Sequence, residues 1–146
     1  MNQHTPATLD HYQAPGFLRR LAAMFYDSLL LLALMAVATT LITLPLGMPK
    51  GGDLVFYQIF LFEIIPMLFF TGFWSHGGQT LGMRAWRLKV VREDGTEIGW
   101  RDAFRRHLAA LLSCLTIGLG FLWILIDSDG LAWHDRLSKT RLVVLR

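Results

Sequence analysis

RLAAMFYDSLLLLALMAVATTLITL, residues 20–44, decides the fold: after Arg20 it is an apolar run long enough to cross a bilayer, broken by one charge, Asp27. A helix crossing ~30 Å of hydrocarbon needs roughly 20 residues, and residues 21–44 supply them before Pro45, Gly47 and Pro49 end the run. An ionised carboxylate at the centre of such a helix costs on the order of 2.5–3.5 kcal/mol on insertion scales. Asp27 therefore requires a structural partner or a function.

Two further runs, 54–74 and 108–126, have spanning length, the last barely so and interrupted by Gly118 and Gly120. Hydrophobic residues make up 53% of the 146, charged ones 17% and gathered in blocks, which indicates an integral membrane protein rather than a soluble globule. Arg19 and Arg20 before an apolar run, with Ala36-Val37-Ala38 following, resemble a cleaved signal. Asp27 in mid-run and the continuation to Leu44 favour a retained span. Trp74 and Trp123 lie near segment ends, where amphipathic rings prefer the headgroup region.

The short loop between the first two runs makes them an antiparallel transmembrane hairpin. The linker, 75–107, carries seven basic residues, whereas the loop at 45–53 has only Lys50. Positive-inside orientation then places the linker and the N-terminus in the cytoplasm. Three full spans would export the tail, 127–146, yet it holds Arg136, Lys139, Arg141 and Arg146. Residues 88–92 and 142–145 are β-prone, and Asp94-Gly95 is a hairpin turn signal. Pairing of tail with linker requires both on one side, with the third segment broken or re-entrant near Gly118 and Gly120 and its irregular backbone covered by protein. The expected architecture is an all-α membrane domain at 16–146, after a flexible tail at 1–15, with a small cytoplasmic β element.

Chemistry-bearing residues fall into three groups. Seven residues separate Arg20 from Asp27, nearly two turns, so they share a face but stand ~10.5 Å apart along the axis. A bridging water or a second partner is expected between them. Glu63 in the second run comes to a depth of ~16 Å against ~10 Å for Asp27, which would allow a two-carboxylate site sharing a proton or binding a cation. A hydrogen-bonded packing role stands beside that for each. Pro66, in the same run as Gln58, removes a backbone donor and bends the helix or frees a carbonyl.

The polar blocks do not compose an enzyme. GGQTLGMR at 77–84 has the glycine spacing of a phosphate loop, but Met83 and Arg84 replace its Lys and Ser/Thr. The glycines instead suit a tight turn in which Gln79 and Thr80 hydrogen-bond backbone. His76, His107 and His134 lack zinc spacing, and Cys114, alone, reads as a small apolar residue. His134-Asp135 has no nucleophile motif beside it, so a polar turn is favoured, with Asp135 paired to Arg84, Arg87 or Arg136. No cofactor, metal or nucleic acid is expected; the basic linker meets anionic headgroups.

Three ordered blocks carry a family resemblance. GFLRRLAAMFYD at 16–27, GQTLGMR at 78–84 with WRLKVV at 86–91 and Asp94-Gly95, and WHDRLSKT at 133–140 resemble the RDD family of small bacterial membrane proteins. The resemblance implies Arg20 and Asp27 as the arginine and first aspartate of its name and Asp135 as the second, with Gly78, Gln79, Thr80, Gly82 and His134 as motif positions. It also implies the bacterial plasma membrane and transport of an ion or ligand. Monovalent cations or protons would then be handled at Asp27 and Glu63, in a homo-oligomer because so few helices hardly enclose a path. The alternative is a non-catalytic module that assembles with or regulates another membrane protein.

Overall fold

Helix α1, Phe17–Leu46, buries only Arg20, Ala23 and Asp27, a single stripe at helical spacing. The computed structural model describes residues 13–116 and 118–145; the expected flexible tail at 1–15 falls mostly outside them. Across its most apolar 18-residue stretch α1 buries nothing against the rest of the chain. A soluble protein would hide that surface, so its partner is lipid or another chain. Gly47 ends the helix at φ 75°, with its N–H on the Thr43 carbonyl.

The second long helix, Gly52–Ser75, is continuous but not uniform. Helix α2, Gly52–Ile59, passes through one π turn, Phe60–Ile64, into α3, Ile65–Ser75. Pro66 has no N–H for the Phe62 carbonyl, and the widened turn sits immediately before it. The freed carbonyl expected from Pro66 thus takes the form of a π turn, and Glu63 projects from it. α1 and Gly52–Ser75 are each long and apolar enough to cross a membrane.

Gly77 and Gly78, at φ 111° and 73°, turn the chain out of α3. The short helix α4, Leu81–Ala85, follows, capped by Thr80 accepting from the Met83 amide. Gly82 allows α4 to touch α1: a Cβ there would overlap the Ala23 carbonyl oxygen and the Asp27 carboxylate. Strand β1, Leu88–Arg92, pairs antiparallel with β2, Thr140–Val144, in the register Leu88↔Val144 to Arg92↔Thr140. The chain turns at Asp94-Gly95, where the Asp94 carboxylate accepts from the Thr96 amide, but only a Val91↔Glu97 bridge follows. The tail, and not the neighbouring segment, is the strand's partner. Leu88, Val90 and Leu142 close a small core with Trp74, Met83, Ile98 and Ala103.

Helix α5, Trp100–Leu115, begins eight residues before the apolar run at 108–126. Its first half is amphipathic and charged, so hydropathy alone starts it late, and the linker at 75–107 holds a helix, a strand and half of another helix. After Leu115 the chain bends by 105° into α6, Leu119–Leu122, and a 3-10 turn, Trp123–Leu125. The bend falls where the glycines predicted it: Gly118 is left-handed at φ 76°, and Gly120 lies against the Ser113 side chain with no room for a Cβ. Helix α7, Trp133–Ser138, returns the chain to β2.

Gly82→Val places branched carbon where α4 meets α1. Overpacking costs typically ~1–3 kcal/mol, so the variant is expected to lose several degrees of thermal stability in detergent while Gly52→Ala, which meets open space, stays near wild type.

Candidate functional site

Asp135 occupies the third position of α7, where its carboxylate can turn back to the helix start and accept from the Ala132 amide at 3.0 Å. That geometry buries it completely and aims it at two arginines. Arg20 of α1 donates from Nη1 to Oδ2 at 2.9 Å, and Arg106 of α5 donates from Nη1 to Oδ1 at 2.6 Å. Arg20 spreads the rest of its fork over backbone carbonyls, Nη2 to Gly130 at 2.7 Å and Nε to Pro15 at 3.4 Å. Arg106 also reaches the Thr140 hydroxyl at 2.7 Å and lies over the Trp74 ring, 5.2 Å from its centroid.

Burial alone would raise the Asp135 pKa. The neighbouring Arg106 and Arg20 charges and the Ala132 amide outweigh it and hold the carboxyl well below its usual range. His134, its ring tilted against Phe121 and 3.7 Å from the Asp135 oxygen, also has its pKa lowered, which for an imidazole favours the neutral form. Desolvation first, and then the Arg106 charge, lowers it to about 3, so it is neutral at physiological pH. The cluster is two cations, one anion and a neutral imidazole.

Asp27 takes a different set of partners. Its oxygens accept from the Thr80 hydroxyl and, at 2.9 Å, from the Gly82 amide. Thr80 therefore joins the carboxylate and the start of α4 at once, and Gly82 supplies both the amide and the space. Gln79 donates to the Leu88 carbonyl at 2.6 Å, and Gly78 packs against the Val90 carbonyl, so the turn residues serve backbone as expected.

Arg20 and Asp27 share a face of α1 but not a bond: the second partner of Arg20 is Asp135, 115 positions away. Nor do Asp27 and Glu63 share a site. Asp27 faces α4, whereas Glu63 lies 3.2 Å from His107 Nε2 on α5. The pairing of Asp135 with Arg84, Arg87 or Arg136 does not form either, and Arg136 holds Asp127 at 2.5 Å and Asp129 at 3.2 Å. Arg106 and Thr140 are the site residues that sequence reasoning missed, and His107 was weighed only as a zinc ligand, not as a partner of Glu63. Arg106 is one of seven basic residues in its stretch, and only the 3.6-residue period starting at Trp100 could have turned it inward.

A cavity of about 650 Å³ opens between α1, α3, α5 and α6. Arg20, Asp27, Thr80, Arg106, His107 and His134 are the polar residues of its lining, and aliphatic and aromatic side chains form most of the remaining wall. Among the described residues, no three of His, Cys, Asp and Glu gather as metal ligands.

The RDD family profile matches residues 14–139. The chain is also similar to an uncharacterized protein, YckC, of Bacillus subtilis (strain 168), with 26% identity over 135 residues that cover 88% of this chain and 83% of that one. No solved structure matches.

Removing one partner from a buried ion pair leaves the other uncompensated, at a cost of ~3–5 kcal/mol. Asp135→Asn is therefore expected to reduce unfolding stability in detergent by about that much, and Arg20→Lys to fall well short of wild type because an ammonium cannot serve three acceptors in a plane. The unfolded His134 binds a proton near pH 6.5 and the buried one only near 3. Stability should thus be level above pH 7 and decline from 6.5 towards 3. His134→Gln should flatten that decline between about pH 6.5 and 4.5, before other carboxylates titrate.

Proposed function

The chain belongs to the RDD family, and from that premise we propose that it is a multi-pass protein of the bacterial plasma membrane that couples transport of a monovalent cation to protons. One observation carries this reading. Asp27, Glu63 and His107 stand on three different helical segments, with Asp27 and His107 on the wall of one cavity and Glu63 bonded to His107. Ionisable groups at such depth are costly to keep, face the protein interior and commonly mark ion or proton routes. The π turn under Glu63 is the kind of helix irregularity that recurs at functional positions.

In this proposal α1 and Gly52–Ser75 each cross the membrane once as an antiparallel pair, and the bent α5–α6 segment enters and returns. The N-terminus, linker and tail then face the cytoplasm. Seven basic linker residues favour that side, and the β1–β2 pairing requires linker and tail to share it. The exposed apolar surface of α1 suits a homo-oligomer that completes the path. That same surface favours a second reading, in which α1 docks on another membrane protein and the chain is a non-catalytic module.

Vesicles reconstituted with the protein and loaded with a pH indicator separate the two. Transport predicts a pH change on imposing a Na⁺, K⁺ or Li⁺ gradient, lost at least tenfold in Glu63→Gln while insertion and folding persist. Wild-type flux in Glu63→Gln, or no flux with any cation, would sink it and leave the module.

A further inference from the structure

Gly72 stands in the interior of α3, and a Cβ built there would meet nothing within 4 Å. Glycine destabilises a helix interior relative to alanine and is usually kept where another backbone comes close or where φ must be positive. Neither holds within this chain: no described residue approaches, and Gly72 is not among the positive-φ glycines. The missing side chain instead leaves a notch in a groove of about 570 Å³, which shares no lining residue with the larger cavity beside α1 and α5.

The groove has an apolar end and a charged one. Leu68, Phe69 and Phe73, the two rings 5.0 Å apart, come from the last turns of a helix of membrane-spanning length. His76, Gln79 and Arg84 stand where the chain leaves that helix, and His76 is ~12 Å from Leu68 along the axis. The ion pairs of the described residues engage Arg20, Lys89, Arg92, Arg106 and Arg136, whereas Arg84 is exposed and in none of them. His76 Nδ1 lies 2.9 Å from the Gly72 carbonyl, which can only accept, so Nε2 is left for a group outside the chain. No acidic residue lines the groove. Its occupant joins an anion to an apolar chain.

We propose that this groove binds one anionic glycerophospholipid, the phosphate at Arg84 and His76 and one acyl chain laid along Phe69, Gly72 and Phe73. A guanidinium meets phosphate oxygens through two parallel charge-assisted bonds. A second helix would also suit a glycine notch, but it accounts neither for the unpaired arginine nor for its place at the end of the span. Inorganic phosphate shares the headgroup chemistry and leaves the apolar half of the groove bare. The inference rests on the reading that Gly52–Ser75 crosses the membrane with Ser75 at headgroup level, and not on transport.

The full chain in nanodiscs doped with phosphatidylglycerol or phosphatidylcholine, each carrying a photoreactive group in its acyl chain, tests this by mapping the cross-linked peptides. Phosphatidylglycerol should label residues 68–73 saturably and about fivefold above phosphatidylcholine, the worth of one arginine near an anionic surface, while α1 takes both lipids alike. Arg84→Gln, at an exposed position, should bring the two lipids level. Gly72→Leu fills the notch without meeting other protein atoms at its Cβ, and it should remove label from 68–73 while α1 stays labelled. Equal labelling by both lipids in the wild type, loss of the preference on adding inorganic phosphate, or labelling that survives Gly72→Leu would each overturn the proposal. Absence of label from α1 as well would overturn it together with the membrane crossing on which it rests.

Discussion

A carboxylate with no contact to water, held between two arginines from distant parts of the chain, is the constraint on which the remaining structure depends. Asp135 alone in that position would be intolerable, since an unpaired buried charge shifts its ionisation or opens the fold. Arg20 and Arg106 make it tolerable only when α1, α5 and α7 meet at one point. Because α7 leads directly into β2, and Arg106 also reaches Thr140, the tail comes to lie beside the linker strand. The chain between α5 and α7 must then return to where it started. The 105° bend after Leu115 and the left-handed Gly118 are how it does so.

Asp27 works at shorter range on the same helix. It fastens α4 to α1 through Thr80 and Gly82, and the absence of a Gly82 side chain is as necessary as the carboxylate. Arg20, Ala23 and Asp27 form one buried stripe on an otherwise outward-facing helix. Arg20 and Asp27 thus stand on one face for different partners. One joins α1 to the tail, the other to the turn after α3.

The long helices were legible in the sequence because hydrocarbon thickness sets a length that apolar runs must match, and 21–44 and 54–74 differ from the helices by four residues or fewer at each end. The strand at Leu88–Arg92, its pairing with the tail and the break near Gly118 also follow from local chemistry, since β-branched residues and glycine restrict backbone directly. Pairings between charges are different. Arg20 and Asp135 lie 115 positions apart, and no periodicity relates them. Arg106 was hidden for a further reason: α5 is charged in its first half, so hydropathy placed its start inside the helix and read Arg106 as a surface cation. Glu63 was visible as a costly charge, but which helix would face it depends on packing, and α5 rather than α1 does so.

A double-mutant cycle between Arg20 and Asp135, read as unfolding free energy in detergent for wild type, Arg20→Met, Asp135→Leu and the double variant, measures the central contact most directly. Direct pairing predicts that the two losses are strongly non-additive, with a coupling of at least ~1–3 kcal/mol and the double variant more stable than the sum of the singles implies. Additive losses, within about 0.3–0.5 kcal/mol, would contradict it and separate the first helix from the tail.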